Sequence, residues 1–534
     1  MAKRRVLIIG LDGFTWCLGQ RLLDNGVMPC LAKLVAEGCH GNLQSVIPYE
    51  TAPAWVSFQT GCNPGKTGVF AFHTFDRNLK KIRLNSFADV AVPSIWQLAS
   101  QAGRKIVSIN MPVTCPPPEV NGIIIPGLLA PNLSAETCYP AEAYDHYIKA
   151  NKSYAIMIKE RRSTTAEIVE ENTRIEMARA EAAIQMMRDV DWDIFSLQMQ
   201  SIDALQHLLW STMRLSETFD PNDSASPFSF YRSCDNLVRQ VIRAAGEDVL
   251  TVIVSDHGFC DGLQSVGLNV WLRQKGYLHL IGPRPHTLWD TIKDIITPLK
   301  AAARAYGSLK AHRGKKRRTP SAQPGIQADL YCQNQLIHLR RTVDIDKTAA
   351  FCLGGMAGLV YITANGEDRI NLRRRLTAEL LNEFGPQSSC PAIERVDVAE
   401  QLYGSISVQH RTPDLVASYL PGHESRINPV GPDVLITKDA DGTHSPRGIF
   451  VAHGNGIRPG AAPFANITDV CPTILAYMGI AVPRHMDGRV LHEAFAEPLD
   501  ITYGDVQHQA SRPNEYSDIE QRRVEQSLSD LGYI

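Results

Sequence analysis

Short apolar runs that close on an acid and a glycine constrain this chain more than any other feature. Arg5-Val-Leu-Ile-Ile-Gly-Leu-Asp12-Gly13 reads as a buried strand followed by a carboxylate and a turn glycine. Val249-Leu-Thr-Val-Ile-Val-Ser-Asp256-His257-Gly258 repeats that design. Asp193-Ile-Phe-Ser-Leu-Gln-Met-Gln200 is a third run, leading to Asp203 and His207, and Gly448-Ile-Phe-Val-Ala-His453-Gly454 is a fourth. Strands that are apolar throughout must be covered on both faces, which implies an α/β fold with a mostly parallel central sheet between helical layers. Ligands of such sheets bind beyond the carboxyl ends of the strands. Three of the four runs carry their reactive residues at or just after that end, whereas His444 lies just before the fourth.

Helical patterns fall between these runs. Pro29 to Glu37 is amphipathic and stopped by Gly38, Thr164 to Arg188 is long and rich in Ala, Glu, Arg and Met, and Thr468 to Gly479 has a Thr/Asp start and a glycine stop. The region from about 271 differs: an amphipathic segment from Leu288 to Leu299 precedes a basic run, His312 to Arg318, flanked by glycine and proline. A chain of 534 residues exceeds what one hydrophobic core usually carries. The expected organisation is a discontinuous catalytic core over 1–270 and 411–495, an inserted cap over 271–410 with some core elements, and a tail over 496–534. The tail ends in a helix with a capping box from Ser517 to Glu520. The basic run reads as a solvated loop.

A net charge of −2 supplies no global field for nucleic acid or an anionic membrane, and no nucleic-acid partner is expected. No run approaches the ~20 apolar residues of a membrane span. The apolar N-terminal run meets Asp12 too early for a signal peptide. Twelve cysteines without a CxxC pair fit reduced thiols. A soluble, cytoplasmic protein is the expectation.

Asp12, Asp203, Asp256, His207, His257 and His444 together offer three carboxylates and three imidazoles. That mixed set suits Zn²⁺, with Mn²⁺ or Fe²⁺ as alternatives, and six ligands suffice for two divalent ions with open positions. Asp203 and His207 are four apart, so a helix starting there presents both on one face. Thr51, in Pro48-Tyr-Glu-Thr-Ala-Pro-Ala-Trp-Val-Ser57, precedes Pro53, a residue suited to a first helical turn. A helix N-terminus there favours a bound phosphate, and a coordinated metal activates an otherwise weak hydroxyl nucleophile. Gly61-Cys-Asn-Pro-Gly-Lys-Thr67 approaches a phosphate-binding loop, but three residues, not four, separate its glycines. It reads instead as the glycine-stopped end of the helix after Thr51. His453 reads as a strand-end histidine packed near the site, and Cys17, Cys62 and Cys260 as buried packing residues.

These pieces resemble the alkaline phosphatase superfamily in its type I phosphodiesterase and nucleotide pyrophosphatase branch. The resemblance is carried by Gly10-Leu-Asp12-Gly13, Thr51 through Gly65, Asp203 through His207, Ser255 through Gly258, Gly442-Thr-His444, and Ile467 through Leu491. It implies one metal held by Asp12, Thr51, Asp256 and His257 and a second held by Asp203, His207 and His444. It also implies in-line attack by Thr51 on a small-molecule phosphate ester and a phospho-threonine intermediate. In nucleotide pyrophosphatases the third residue after the nucleophile is often Asn; here it is Ala54, which weakens the transfer of nucleotide specificity. Ala54 and Trp55 are the substrate-contact candidates, and Trp16, Tyr49 and Phe72 are further aromatics available for stacking. The sulfatase signature CxPxR is absent. Monoester, phosphonate or phosphoryl-transfer chemistry at the same centre is the alternative. A non-catalytic metal-binding module would be expected to have lost at least one of the seven positions.

Overall fold

A computed structural model describes residues 4–157, 164–281, 339–340, 342–438, 441–462, 464–505 and 516–530. The strands needed below are β1 (Val6–Leu11), β2 (Cys39–Gln44), β3 (Ile106–Met111), β4 (Gly122–Pro126), β5 (Ile194–Met199), β6 (Leu250–Val254), β7 (Gly258–Asp261), β8 (Ala350–Leu353), β9 (Ala357–Ile362), β10 (Ile393–Val398), β11 (Leu415–Tyr419), β12 (Gly442–Ser445), β13 (Arg447–His453), β14 (Gly460–Ala461) and β15 (Ala465–Asn466). The helices are α1 (Trp16–Asp24), α2 (Pro29–Glu37), α3 (Thr51–Thr60), α4 (Ile95–Gln101), α5 (Thr165–Asp189), α6 (Ser201–Leu215), α7 (Pro227–Ala245), α8 (Gly366–Phe384), α9 (Ile467–Tyr477) and α10 (Asp518–Asp530).

Among the described residues the large sheet has nine strands in the order β14-β2-β13-β6-β1-β5-β3-β4, with β15 also on β2. β1 lies at its centre, parallel to β5 and β6, so Leu11 faces Met199 and Gly10 faces Val254. The continuous apolar run of β1 is explained by two cores. Leu7, Ile9 and Leu11 pack with α1, α2, α5, α6 and α7, whereas Val6 and Ile8 pack with α3, α4 and α9. Burying each such side chain contributes roughly 1.5–3 kcal/mol relative to exposure, so neither face tolerates a charge.

The fourth run is a strand, but it is antiparallel to both β6 and β2. Its start therefore lies at the edge where the parallel strands end. His444, just before β13, arrives at the same edge as Asp12 and Asp256 for that reason. His453 ends the same strand at the opposite edge and pairs with Glu37 at 3.5 Å, so the expectation that it packs near the site is corrected.

A second sheet, antiparallel throughout, has the order β8-β9-β11-β10, and its own core includes Leu372, Leu376, Leu380 and Phe384 of α8. Helix α5 starts at a Thr164–Glu167 capping box, and α10 at the Ser517–Glu520 box. The amphipathic segment at 288–299 and the basic run at 312–318 lie outside the described residues. Among those described, no helix is long and apolar enough to cross a membrane, and the cysteines are free. Cys62 is buried as expected; Cys17 is exposed and Cys260 half-buried, which corrects the reading of all three as core.

Candidate metal centre

Asp12 follows β1, and Asp256 and His257 follow β6, its neighbour. The turn after Asp12 needs Gly13: its φ is +65°, and a Cβ there would sit 2.6 Å from Asp203 Oδ1. The Gly13 amide donates to Asp256 Oδ1 at 3.2 Å, leaving Oδ2 to the cleft. Asp203 and His207 share a face of the first two turns of α6. Strand β12 pairs antiparallel with β7, which sets His444 opposite Phe259 and brings it beside His257. The His257 and His444 rings stack 3.7 Å apart.

The ligand atoms of Asp12, Asp256 and His257 lie within 4.8 Å of one another, as do those of Asp203, His257 and His444. His207 Nε2 is 2.9 Å from His444 Nε2 and 3.4 Å from Asp203 Oδ2. Nδ1 of His257 faces the Gly258 carbonyl at 3.1 Å, and Nδ1 of His444 faces the Tyr49 carbonyl at 3.3 Å. Donation at Nδ1 leaves the Nε2 lone pairs of both rings for a cation. Thr51 is the first residue of α3, and Glu50 before it adopts an extended backbone without capping the helix by its side chain. Pro53 has no N–H and the Ala54 N–H donates to the Glu50 carbonyl at 3.0 Å, so Thr51 and Ala52 carry the N–H groups that this helix start can offer an anion.

Four atoms test whether this centre fits a metal. Asp12 Oδ1, Thr51 Oγ1, Asp256 Oδ2 and His257 Nε2 are buried and have no hydrogen-bond partner. Orphaned polar atoms are costly inside a protein, and the gathering of the Asp12, Asp256 and His257 ligand atoms within 4.8 Å fits a divalent cation. The electrostatics agree. Burial, then Asp256 and Asp203, holds the Asp12 carboxyl well above the usual carboxylate range. Burial also lifts Asp256 to about 6, against the pull of His257. Asp203 is held low because His207, His444 and His257 outweigh its burial. Burial and then His257 keep His444 well below the usual histidine value, in the neutral form that ligates.

Support for these ligands comes from Trp55, read from the sequence as a substrate contact, and from Gln198 and Asn110, which motif reading missed. Trp55 Nε1 and Gln198 Nε2 donate to Asp12 Oδ2 at 2.8 and 2.6 Å, and Asn110 Nδ2 donates to Gln198 Oε1 at 2.7 Å. A Cβ on Gly10 would come 2.6 Å from the Trp55 ring, so that glycine admits the indole. A glutamine two residues after Ser196 in a strand whose other positions are apolar was the available sequence signal for Gln198. Ala54 and Trp55, expected to contact substrate, have no exposed surface: Ala54 packs in the core and the Trp55 indole is committed to Asp12. Tyr49 and Phe72 are buried as well, and Trp16 donates to the Gly41 carbonyl. The glycine-rich 61–67 segment is structural. Gly61 ends α3 at φ +66°, the Asn63 side chain caps the next turn, and Lys66 binds Asp487 and the His485 carbonyl.

An α/β sheet with a cluster of candidate metal ligands at the strand ends and a hydroxyl at a helix N-terminus is an arrangement suited to metal-dependent phosphoester hydrolysis. Residues 6–345 match the family described as type I phosphodiesterase / nucleotide pyrophosphatase, and the chain belongs to that family. It is a phosphoric ester hydrolase of the phosphodiesterase and pyrophosphatase type with a divalent-metal cofactor. Phosphonoacetate hydrolase from Sinorhizobium meliloti 1021, in complex with phosphonoacetate, is similar in fold. Its TM-score is 0.54 at 13% identity, over 90% of this chain and 96% of that one. An inactive variant of murine ectonucleotide pyrophosphatase / phosphodiesterase 5, in complex with AMP, has a TM-score of 0.50 at 14% identity, over 90% and 96%. At these identities the likeness is one of fold. No curated protein matches the chain by sequence.

Proposed function

We propose that Thr51 is the nucleophile of a two-metal phosphodiesterase. One ion would be held by Asp12, Thr51, Asp256 and His257, and the other by Asp203, His207 and His444. The observation that carries this reading is the gathering of the Asp12, Asp256 and His257 ligand atoms within 4.8 Å, beside which stands the buried and unpartnered hydroxyl of Thr51 as nucleophile candidate. The mixed carboxylate and imidazole set favours zinc, with manganese or iron(II) next. When bound, the ions supply positive charge that lowers the pKa of the hydroxyl and offsets charge developing on the phosphoryl oxygens.

Thr51 Oγ1 attacks phosphorus in line, the bond to the leaving alcohol breaks, and a phospho-threonine forms. Water then cleaves the Thr51–phosphorus bond, releasing a phosphomonoester and restoring the hydroxyl. The N-terminus of α3 offers the Thr51 and Ala52 N–H groups to the non-bridging oxygens. Trp55 and Gln198, by occupying Asp12 Oδ2, keep Oδ1 directed into the centre. A cytoplasmic location is supported by the unpaired cysteines among the described residues.

The test is turnover of bis-p-nitrophenyl phosphate by purified protein loaded with Zn²⁺ or Mn²⁺. Hydrolysis by wild type and its loss in Thr51→Ala are expected. No turnover with any metal, or undiminished turnover by the variant, would overturn the reading.

A further inference from the structure

Gln206 stands between two metal-ligand candidates and has no part in the chemistry above. It lies three residues after Asp203 and directly before His207 in α6. The side chain is fully buried, and its Nε2 donates to the Gly13 carbonyl at 2.8 Å. Its Oε1 has no hydrogen-bond partner. A half-satisfied amide is costly to bury and an apolar side chain would be less so, which leaves the bond to Gly13 as what the residue contributes. Gly13 touches both halves of the centre. Its amide donates to Asp256 Oδ1 at 3.2 Å, and a Cβ on it would meet Asp203 Oδ1 at 2.6 Å and Gln206 Nε2 at 3.1 Å.

The two partners of this bond are held differently. The Gly13 turn is fixed without Gln206: the Asp12 amide donates to the Met199 carbonyl at 3.3 Å, and the Phe14 amide to the Leu11 carbonyl at 3.2 Å. Helix α6 is interrupted at Leu209, where φ is −132° and ψ is 16°, so the turns that carry Asp203 and His207 form a separate piece. Beyond the interruption, Trp210 Nε1 ties the rest of the helix to Asp261 Oδ1 at 2.9 Å. The ligand-bearing piece is tied at its start, where Glu176 Oε1 accepts the Ser201 amide at 2.9 Å. Ile202 and Leu205 pack it into the core, but apolar packing is non-directional and sets depth better than rotation. A single bond at the start also leaves rotation open. Gln206 supplies the second directional tie, five residues further on, and two ties fix which way Asp203 and His207 face.

We propose that Gln206 is the positioning residue of the second cation site. By binding the Gly13 carbonyl it turns Asp203 and His207 toward the Asp12–Gly13 turn, so the ion held by Asp203, His207 and His444 depends on it and the ion held by Asp12, Asp256 and His257 does not. This deepens the two-metal reading and rests on it. Gln206 touches neither ion and acts only through the helix that it orients.

The experiment is calorimetric titration of metal-free, full-length protein with Zn²⁺, comparing wild type, Gln206→Met, Asp203→Asn and the double variant. Wild type is expected to bind two ions, and Asp203→Asn identifies the second by losing it. Gln206→Met, close in size but without a donor, is expected to weaken that same ion by about 10- to 100-fold and to leave the other within about threefold. In the Asp203→Asn background the substitution should leave the remaining ion unmoved, again within about threefold. Gln206→Ala, which cannot overfill the site, is expected to show the same selective loss. Both ions weakened alike, or the second unmoved in Gln206→Met and Gln206→Ala, overturns the role of Gln206. Wild type that binds fewer than two ions, or Asp203→Asn that keeps both, overturns instead the two-metal reading on which that role depends.

Discussion

The two large sheets of this molecule divide its labour unequally. In the nine-stranded sheet, β1, β5 and β6 end side by side, so the residues following them converge on one edge. The four-stranded sheet alternates direction, which distributes its turns to both ends, and none of the seven metal-centre candidates lies on it. It meets the residue before Thr51 at its β8–β9 turn, where Glu50 accepts the Gly355 and Met356 N–H groups. Its own buried charge serves packing: Asp414 accepts from Arg77, Arg369 and Arg373 and from the Ile362 amide. Parallel strands concentrate chemistry at one edge, and an antiparallel sheet beside them can shape a cleft without supplying its reactive groups.

The largest effect that separates the two sheets is expected from Thr51→Ala. Steady-state kinetics should show kcat/KM for a phosphodiester falling by about 10³-fold or more, since removal of the attacking group leaves only binding and electrostatics. Next comes Asp414→Asn in the second sheet, which leaves three arginines facing a neutral amide. A loss of about 2–3 kcal/mol in urea unfolding is expected, discounted because the arginines keep some solvent, with zinc content unchanged. A fall in zinc content there would break the division drawn above. Gln198→Leu in the first sheet should do the reverse. Calorimetric titration should show metal affinity about 10- to 100-fold weaker, because Asp12 Oδ2 loses a donor, with little change in the cooperativity of unfolding.

The smallest effect concerns His73, where α10 closes over the Phe75 strand beside the second sheet. Its Nε2 lies 3.2 Å from Glu525, and burial pushes its pKa down to about 4, against the hydrogen bond with Glu525. With an ordinary value of 6.5, the unfolded chain takes up a proton before the folded one does. This contribution to stability is present above about pH 6.5 and is lost as pH falls toward 4. Melting temperature should drop across that window, and His73→Gln should flatten the drop.

The fold position of a candidate site residue was legible in the sequence where the residue sits at the end of a local pattern. Asp256-His257 closes a strand of its own, Thr51 opens a helix marked by Pro53, and Asp203 and His207 share a helical face. His444 had little independent signature, because its neighbours come from pairing with β7, some 180 residues earlier in the chain. The same cause misled the reading of His453: periodicity cannot say whether a buried strand runs with or against its neighbours. Trp55 was read as facing substrate because it follows the nucleophile candidate Thr51 closely. Which way it faces was settled by the space above Gly10 and by Asp12 as an acceptor.

The run from Val6 to Gly13, with its repeat before Asp256, is where sequence alone sufficed. Alternate side chains must enter two apolar cores, so a doubly covered sheet follows, and a carboxylate at the strand end must lie at the sheet's edge. Tertiary structure alone decided which carboxylate oxygen faces the cleft, which direction β13 runs, and which turn of the second sheet stands beside Thr51. The physical reason is range. Burial periodicity and capping act within a few residues, whereas strand direction, Gln198 meeting Asp12, and Glu50 meeting Gly355 join residues far apart in the chain.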